Sequence, residues 1–449
     1  MRGYRNPTGR CFDLERIDTL NGPYLALSAG GALTGDAATL IRRAANAGVE
    51  LLYGDALCKG SDGACTPIFR PAYSPDTLLA TNYIGSPVVL SERLLRQLPH
   101  DGREDADALY SLALRAAAKA GSAYHIPHPL FRGAPTPPCC NRRIVAEALP
   151  LFGRQGTVQE GLFIGSFDVR YGIRGNPLIS VIVVNEGDTN ALRRTLESVE
   201  QRSSYRRYEL LVADGTLPDA RTRAYYEALQ ANRAATVVSL PEEPRLTVLR
   251  NEATKLANGE LLLFLDAGLT LGAHDAIERL LEQCLQTGTA AAGGKIVDEN
   301  GRLLHAGLAL GLSDLPVSPF AGRVDSLRDA AQNRYTNCTR NVSAVSGAWM
   351  VRTQQFLSLS GFDETFEVAG SEADLCVRLA AGQWRVVYSP YARFVASPVR
   401  SVRPAMTKKN KDRCTDVFRQ MRVHGDPMLS QSPDFLQLAA KFGEKALLL

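Results

Sequence analysis

An aspartate at the end of an apolar run is the first residue of this chain that is placed for chemistry. Asp266 directly follows Leu261–Leu265, a short continuous apolar segment, and Gly268 comes two residues later. A run of this kind is typical of a strand that is buried on both faces of a mainly parallel sheet. In open α/β sheets the ligand crevice lies outside the carboxyl ends of the strands, so an Asp there can hold a metal ion or a ribose. The alternative is that Asp266 only caps the next segment.

Two further carboxylates, Glu372 and Asp374, open a predicted helix in the segment Ser-Glu-Ala-Asp-Leu-Cys. The positive end of the helix dipole favours acidic side chains in the first turn. Helix stability by itself therefore accounts for acidic residues at this place.

The composition is that of an ordinary globular protein with more than one domain. The 449 residues are 45% hydrophobic and 22% charged, and 51 basic and 47 acidic residues give a net charge of +4. This balance does not indicate a nucleic-acid partner. Nine scattered cysteines without zinc-site spacing, and an N-terminus without an apolar signal segment, predict reduced thiols and a cytoplasmic location. No run reaches the roughly 18 apolar residues of a membrane span.

Strands and helices alternate in the second half of the chain. A strand is predicted from Leu178 to Val184, a helix from Thr189 to Gln201, and a strand from Tyr208 to Val212. Alternation at this spacing predicts βαβ units and a parallel sheet. In the first half, Asp36 is predicted to cap a helix that ends near Ala47.

Several segments of the second half carry a family resemblance. They read SVIVVNEGDTNALRRTLESVEQRSSYRRYELLVADGT, RNEATKLANGELLLFLDAG, NGRLLHAGLALG, NVSAVSGAWMVR and GFDETFEVAGSEADLCVRLAAGQWRVVYSPYA. In order and spacing, residues 177–401 resemble a family 2 glycosyltransferase domain with the nucleotide-sugar-binding GT-A fold. The resemblance implies an α/β architecture, with a Rossmann-like, mainly parallel sheet flanked by helices. The segment DPMLSQSPDF resembles the tail of the subgroup linked to assembly of surface polysaccharides such as O-antigen.

The first half is similar to the back part of a second such domain. The matching segments are NGPYLALSAGGALTGDAATL, ELLYGDALCKGSDG, FRPAYSPDTLLATNYIGSPVVLSERLL and YHIPHPLF. The opening nucleotide-binding strands of the family have no room before Gly22. We therefore expect a tandem arrangement: a truncated, degenerate GT-A-like domain over residues 1–134, a linker with a helix over 135–176, the complete domain over 177–401, and a basic, helical tail over 402–449.

The resemblance also implies roles for individual residues. Glu372 falls where the family places its catalytic carboxylate, which takes the proton of the acceptor hydroxyl, and Asp374 falls where an acidic partner is common. The polar groups placed to face the nucleotide-sugar donor are Asn185, Asp214, Asn251 and Asp266. Asp266 is also the implied ligand of Mg²⁺ or Mn²⁺, and Trp349 follows the segment that lines the acceptor crevice, although a buried core position is common for Trp.

The chain departs from the family pattern at the residues that compensate the negative charge of the departing diphosphate. The last carboxylate of the family's Asp-any-Asp motif is replaced by Gly268, and the His expected near the end of the domain falls at Ala396. Mg²⁺ usually needs one or two carboxylates together with substrate phosphates. An arginine could instead pair with the diphosphate. The candidates, each of which could also be an ordinary surface residue, are Arg250, Arg393 and Arg400.

Other departures weaken the nucleotide site and the front domain. Ala213 stands where the family usually has an Asp that contacts the base or ribose. In the front domain the corresponding acidic cluster reads Ser28-Ala29-Gly30-Gly31. His125 and His128 have no partner ligands at metal spacing, so they are expected to be structural. The front domain is therefore expected not to be catalytic.

Two functions are consistent with these observations. The first is an inverting, nucleotide-sugar-dependent glycosyltransferase for cell-surface glycans or glycoproteins, weakened or independent of metal, acting on a glycan, lipid-linked or protein acceptor. The second is a catalytically inactive GT-A pseudoenzyme that serves as a binding or scaffolding module for a protein partner. The basic run RSVRPAMTKKNKDR could in addition contact anionic lipid at the inner face of the membrane.

Overall fold

The computed structural model describes residues 13–60, 63–99, 103, 107–216, 218–240, 245–367, 370–397 and 407–442. The chain divides into two compact units. The first unit comprises Met1–Tyr171 with Gly425–Leu449, and the second comprises Gly172–His424.

The strands of the described residues are numbered in chain order. They are β1 (Asp13–Thr19), β2 (Gly22–Ser28), β3 (Gly31–Leu33), β4 (Leu51–Lys59), β5 (Cys65–Ile68), β6 (Val88–Ser91), β7 (Tyr124–Gly133), β8 (Gly156–Glu160), β9 (Phe167–Tyr171), β10 (Ile179–Asn185), β11 (Tyr208–Asp214), β12 (Thr236–Ser239), β13 (Leu261–Leu265), β14 (Leu269–Leu271), β15 (Thr289–Asp298), β16 (Leu303–His305), β17 (Arg340–Asn341), β18 (Ala348–Arg352) and β19 (Arg385–Ala396).

The helices are numbered in the same way, and a 3₁₀ turn at Leu149–Phe152 directly follows α5. They are α1 (Ala37–Ala45), α2 (Pro75–Ala80), α3 (Glu92–Gln97), α4 (Ala108–Ala120), α5 (Arg142–Ala148), α6 (Thr189–Arg202), α7 (Ala220–Ala231), α8 (Leu246–Lys255), α9 (Ala276–Cys284), α10 (Ala330–Thr336), α11 (Thr353–Ser358), α12 (Ser371–Ala381), α13 (Lys408–Val417), α14 (Arg419–His424) and α15 (Pro433–Phe442).

The second unit is built on a mixed sheet with the main strand order β12-β11-β10-β13-β18-β15-β19-β14. Strands β12, β11, β10 and β13 are parallel, as expected from the βαβ pattern. From β13 onwards the neighbours are mostly antiparallel, because β18 lies between β13 and β15 and runs against both. The α/β class is therefore confirmed, whereas the description of the sheet as mainly parallel holds only for its first four strands.

The central strand is β13, whose five residues are all apolar and all buried. Its odd-numbered positions face a core that α6 and α9 cover, and its even-numbered positions face a core that α8 and α12 cover. A strand covered on both faces has no solvent side, which explains the unbroken apolar run in the sequence. Since β10, β11 and β13 are parallel, their carboxyl ends meet at one edge of the sheet.

The sheet of the first unit repeats the second half of this architecture. Its path β2-β6-β4-β7-β3 has the same order and the same strand directions as β13-β18-β15-β19-β14. In both, the first three pairs along the path are antiparallel, antiparallel and parallel, and the last pair is antiparallel. In place of a parallel βαβ half, β1 lies antiparallel on the outer edge of β2. Among the described strands, the first unit therefore has no counterpart of the parallel strands β10, β11 and β12.

The segment predicted as a linker belongs to the first unit. Ile144 and Val145 of α5 and Phe167 of β9 are buried in the same core as α4. Helix α15 is also part of the first unit, where Phe435 packs edge-on against Phe69. The limits of the two units therefore differ from the predicted limits at residues 134, 176 and 401. Apolar side chains of α5, β9 and α15 belong to the first unit, whereas Cys414 and Phe418 are buried in the core of the second.

The basic run near the C-terminal end is described only in part. Arg400 and Arg403 lie outside the described residues, and α13 carries the remaining basic positions. Arg413 forms an ion pair of 2.6 Å with Asp363, and Lys409 lies 3.7 Å from Glu367. Among the described residues, no helix has both the length and the apolar composition needed to cross a membrane.

Candidate active site

A buried arginine joins the two carboxylates that the sequence singles out. Arg250 donates through Nη2 to Asp266 Oδ1 and through Nη1 to Glu372 Oε1, each at 2.7 Å. The Arg250 side chain is 3% exposed, that of Asp266 15%, and that of Glu372 8%. Asp266 and Glu372 therefore share one site at the carboxyl edge of the sheet, with the guanidinium beneath them and both carboxylates closer to solvent.

Arg250 is buried because of its position on α8. The buried residues of this helix include Thr247, Arg250, Ala253 and Thr254, which recur at helical spacing. The guanidinium lies 5.8 Å from the ring centre of Phe264 and 5.6 Å from that of Phe362, within the range of cation–π contact. This spacing is the sequence signal that separates Arg250 from an ordinary surface arginine.

Glu372 lies in the first turn of α12, and its second oxygen is also bonded. The hydroxyl of Ser371 lies 3.1 Å from Glu372 Oε2 and donates to it. Asp374 lies elsewhere: its carboxylate forms an ion pair of 2.8 Å with Arg378, which also donates to the carbonyls of Leu359 and Gly361. Burial raises the pKa of Asp374, and Arg378 opposes that rise. The structure thus brings Glu372, but not Asp374, to the cluster with Arg250.

The turn after β13 is held in place by backbone hydrogen bonds. Asp266 N–H donates to the Gly347 carbonyl, and Gly268 N–H donates to Thr195 Oγ1 of α6, both at 2.8 Å. Gly268 has φ of +89°, a left-handed conformation that favours glycine. Gly347 has φ of +78°, and a Cβ atom there would lie 2.7 Å from Ile296 Cδ1 and 3.6 Å from Asp266 Oδ2. The backbone therefore passes close beneath the Asp266 carboxylate.

Asn185 and Asp214 meet at the ends of β10 and β11 in a fully bonded network. Asn185 Nδ2 donates to Asp214 Oδ2 at 3.1 Å, and Tyr226 Oη donates to the same oxygen. Thr216 donates to Asp214 Oδ1 through N–H at 2.6 Å and through Oγ1 at 2.7 Å. Burial and the bond to Asp214 raise the pKa of Tyr226. Asn185 and Asp214 are both buried, so this network fixes the loops at the edge of the sheet.

Two predicted ligand-binding residues lie in structural positions. Asn251 donates to the Phe362 carbonyl at 3.0 Å and to Glu364 at 2.9 Å, and its own oxygen accepts from Phe362 N–H. Trp349 has no exposed surface and packs against Phe264 and Phe362 in the core. In this position the indole has no face on which an acceptor sugar could stack.

His305, which lies in one of the family-like segments, is buried near the cluster. Its Nε2 accepts a hydrogen bond of 3.5 Å from Ser346 N–H, so the imidazole is neutral. Burial lowers the pKa of His305 to about 3; Arg340 adds to this effect, and Glu372 opposes it.

The described side chains at this edge offer few ligands for a Mg²⁺ or Mn²⁺ ion. Within the part of the chain that the structure describes, no three His, Cys, Asp or Glu side chains are grouped so that they could hold a metal. Asp266 is the sole carboxylate of its turn, and Arg250 already donates to it. Of the other arginines considered above, Arg393 is exposed on β19 and Arg400 lies outside the described residues.

In the first unit, the turn after β2, which corresponds to the turn after β13, has no carboxylate. Ser28 ends β2, as Asp266 follows β13, and Gly30 has the left-handed backbone of Gly268. His125 Nε2 forms a buried hydrogen bond of 2.9 Å with Asp55 Oδ1, and its ring stacks on Tyr53, as expected for a structural histidine. His128 lies beside α1 at a cavity of about 490 Å³.

The sequence matches curated proteins that are longer than this chain. It is 28% identical over 365 residues to the O-antigen biosynthesis protein RfbC of Myxococcus xanthus, covering 77% of this chain and 28% of that protein. It is 26% identical over 406 residues to the uncharacterized protein y4gI of Sinorhizobium fredii, covering 84% of this chain and 44% of that protein. The chain thus spans less than half the length of both relatives.

Solved glycosyltransferase structures show a distant likeness. GalNAc-T7 with UDP, GalNAc and Mn²⁺ aligns over 54% of this chain and 48% of its own, with 15% identity and a TM-score of 0.44. The mannosyltransferase PcManGT of Pyrobaculum calidifontis, in complex with GDP-Man and Mn²⁺, aligns over 61% of this chain and 70% of its own, with 14% identity and a TM-score of 0.41.

The match to a family model lies in the second unit. Residues 179–346, which run from the first residue of β10 through Ser346, match the model of glycosyl transferase family 2. This segment holds Arg250 and Asp266, and Glu372 follows it in the same unit. In this segment the chain is therefore similar to glycosyl transferase family 2.

Proposed function

We propose that the second unit transfers a sugar from a nucleotide-sugar donor to a glycan acceptor during assembly of a cell-surface polysaccharide. The observation that carries the proposal is the Arg250 bridge, which holds Asp266 and Glu372 together at the carboxyl edge of the sheet. The family match and the similarity to a protein named for O-antigen biosynthesis support the reaction class.

In the proposed reaction Glu372 acts as the general base. An acceptor hydroxyl donates its proton to Glu372 while its oxygen attacks the anomeric carbon of the donor sugar. The bond between that carbon and the diphosphate breaks, and the nucleoside diphosphate leaves with the electron pair. Because attack and departure occur on opposite faces, the configuration at the anomeric carbon is inverted. Ser371 and Arg250 orient the carboxylate by donating to its two oxygens.

The proposed reaction does not route charge through a divalent cation. Asp266 and Glu372 are held by a fixed guanidinium, which needs no reorganisation when substrate binds. The metal-independent form of the reaction is thus the one that the donor set of this edge supports best.

Binding without transfer is a second candidate function. Each oxygen of Glu372 already accepts one hydrogen bond, which leaves fewer acceptor sites for the hydroxyl of a sugar. The burial of Trp349 favours the same candidate, because it removes a predicted acceptor contact.

A donor-turnover assay separates the two candidates. The protein is incubated with UDP-, GDP- and dTDP-sugars and a membrane extract that contains acceptor glycans, and nucleotide release is measured. Transfer predicts turnover with one donor class and a loss of at least about 100-fold in Glu372→Gln, as for removal of a general base. Glu197→Gln on the exposed face of α6 carries the same charge change and should keep the wild-type rate. Nucleotide binding without turnover would establish the second candidate.

A further inference from the structure

Helix α6 carries two consecutive arginines, Arg193 and Arg194, and more of the Arg194 guanidinium is buried without an acceptor in the described part of the chain. The Nε and Nη2 atoms of Arg194 are buried, and neither has a hydrogen-bond acceptor in the described part of the chain. No ion pair is formed by this guanidinium within those residues either. Burying an unpaired cationic group is costly unless a partner compensates for the lost water. The Arg194 guanidinium is therefore a candidate binding group for an anion.

The position of Arg194 connects it to the candidate active site. The next residue, Thr195, accepts a hydrogen bond of 2.8 Å from Gly268 N–H, in the turn that begins with Asp266. One turn later, Ser198 accepts from Leu271 N–H at 2.9 Å. These two bonds fix α6 against the segment that follows β13, so the Cα atom of Arg194 lies beside the turn in which the last family carboxylate is replaced by glycine.

The charge of the Arg250 cluster explains why another cation is needed. Two carboxylates and one guanidinium have a formal charge of −1, so the cluster by itself repels a diphosphate. Arg250 is engaged with both carboxylates and lies beneath them. A donor diphosphate at this edge therefore requires positive charge from another element.

We propose that Arg194 binds the diphosphate group of the donor. This inference rests on the proposed function, since it names the residue that would compensate the charge of the leaving group. Arginine suits the role because its planar fork matches two phosphate oxygens at once.

Arg193 provides a matched control on the same helix. Its guanidinium lies 4.7 Å from the ring centre of Tyr225 of α7, in a cation–π contact, although its Nε also has no acceptor among the described residues. Both residues are partly buried and carry the same charge. Arg193→Gln and Arg194→Gln thus change the net charge equally, but Arg193→Gln removes the contact with Tyr225, whereas Arg194→Gln removes the proposed diphosphate-binding group.

The test is isothermal titration of the full chain with UDP, GDP, dTDP and inorganic pyrophosphate, in the presence of EDTA. Arg194→Gln is expected to weaken the binding of the preferred nucleoside diphosphate and of pyrophosphate by about 10- to 100-fold, the usual range for a lost charge-assisted hydrogen bond. Affinity for the matching nucleoside should not change. Arg194→Lys should recover part of the loss, and Arg193→Gln should bind like the wild type.

The outcomes separate this inference from the proposed function. Binding of a nucleoside diphosphate with equal affinity in the wild type and Arg194→Gln would overturn the role of Arg194 and leave the donor site standing. Absence of binding by every nucleotide and by pyrophosphate would overturn both. Circular dichroism of Arg194→Gln guards against misfolding, and a parallel loss of nucleoside affinity would mark a structural effect and count against the inference.

Discussion

Replacing Arg250 with glutamine removes the guanidinium and leaves its two partners in place. Asp266 and Glu372 would then face each other at the edge of the sheet without a counter-ion. Their side chains are only 15% and 8% exposed, so water cannot fully compensate for the loss. The variant therefore tests whether the Arg250 bridge stabilises the second unit.

The size of the effect follows from the burial of the cluster. Removing one partner of a buried ion pair typically costs about 3–5 kcal/mol, because the remaining charge is left uncompensated. For a unit of this size, each kcal/mol lowers the melting temperature by about 2–4 °C. We therefore expect Arg250→Gln to lower the melting temperature of the second unit by about 6–20 °C. The melting temperature of Arg250→Lys should lie between those of the wild type and Arg250→Gln, since a single ammonium cannot reproduce the two-pronged geometry of the guanidinium.

Tryptophan fluorescence reports on this unit alone. The chain has two tryptophans, Trp349 and Trp384, and both belong to the second unit. Unfolding in urea followed at their emission thus yields the stability of the unit that carries the cluster. Lys255→Gln is the control: Lys255 lies on the same helix, is exposed, and pairs with Glu252 at the surface, so its loss should change stability by less than about 0.5 kcal/mol.

Two results would refute the reasoning. If Arg250→Gln unfolded at the wild-type urea concentration, the bridge would not stabilise the fold. If its deficit did not shrink as the pH is lowered from 8 to 5.5, unpaired carboxylates would not be its cause, since protons can neutralise them in the variant.

Two further predictions concern buried groups near the site. Since His305 is neutral when folded, with a pKa of about 3, and titrates near 6.5 when unfolded, the unfolded chain binds more protons below pH 6.5. The free energy of unfolding should therefore fall as the pH drops through 6.5 toward 3, with about 1.4 kcal/mol lost between pH 7.5 and 5.5 because of this residue. In His305→Gln, the urea midpoint of unfolding should shift less between these two pH values. An unchanged shift would contradict a neutral, buried His305. Tyr226→Phe removes a hydrogen-bond donor to buried Asp214 and should lower the free energy of unfolding by about 1–3 kcal/mol in the same urea assay. Tyr225→Phe is the control: it keeps the ring that contacts Arg193 and should lower the free energy of unfolding by less. Equal losses would contradict the role of Tyr226 in the Asn185–Asp214 network.

Periodicity predicted the elements that position the site. The strand Leu261–Leu265 is observed with the predicted limits, and α6 begins at the predicted residue, Thr189. Both have strong local signals: five consecutive apolar residues in the strand, and an Asp188 side chain that accepts from the first helical N–H groups. The cap predicted at Asp36 is different: α1 begins after it, but its side chain makes no capping bond and accepts from Thr34.

The contacts within the site depend on segments that are far apart in the sequence. Arg250 and Glu372 are separated by 122 positions, and nothing local indicates that one guanidinium reaches both Glu372 and Asp266. The helical spacing of Arg250 with Ala253 and Thr254 indicates that the Arg250 side chain is buried, and this is the signal that the sequence offers for its role. Trp349 shows the opposite case: its sequence context suggested a crevice, whereas strand pairing with β13 turns the indole into the aromatic core.

The repeated sheet path could be predicted in outline only. Family-like segments in the first half indicated the back part of a domain. However, the antiparallel β1 hairpin and the burial of α5 and α15 in the first unit depend on packing between distant segments. Such packing leaves no periodic signal in either partner.

We propose that a fixed guanidinium, rather than a divalent cation, balances the carboxylates of the candidate site. The most direct measurement is the rate of nucleotide release from the preferred donor, in excess EDTA and again with added Mn²⁺ or Mg²⁺. The account predicts equal rates in the three conditions, and their loss in Arg250→Gln. A rate that vanishes in EDTA and returns with Mn²⁺ or Mg²⁺ would contradict it.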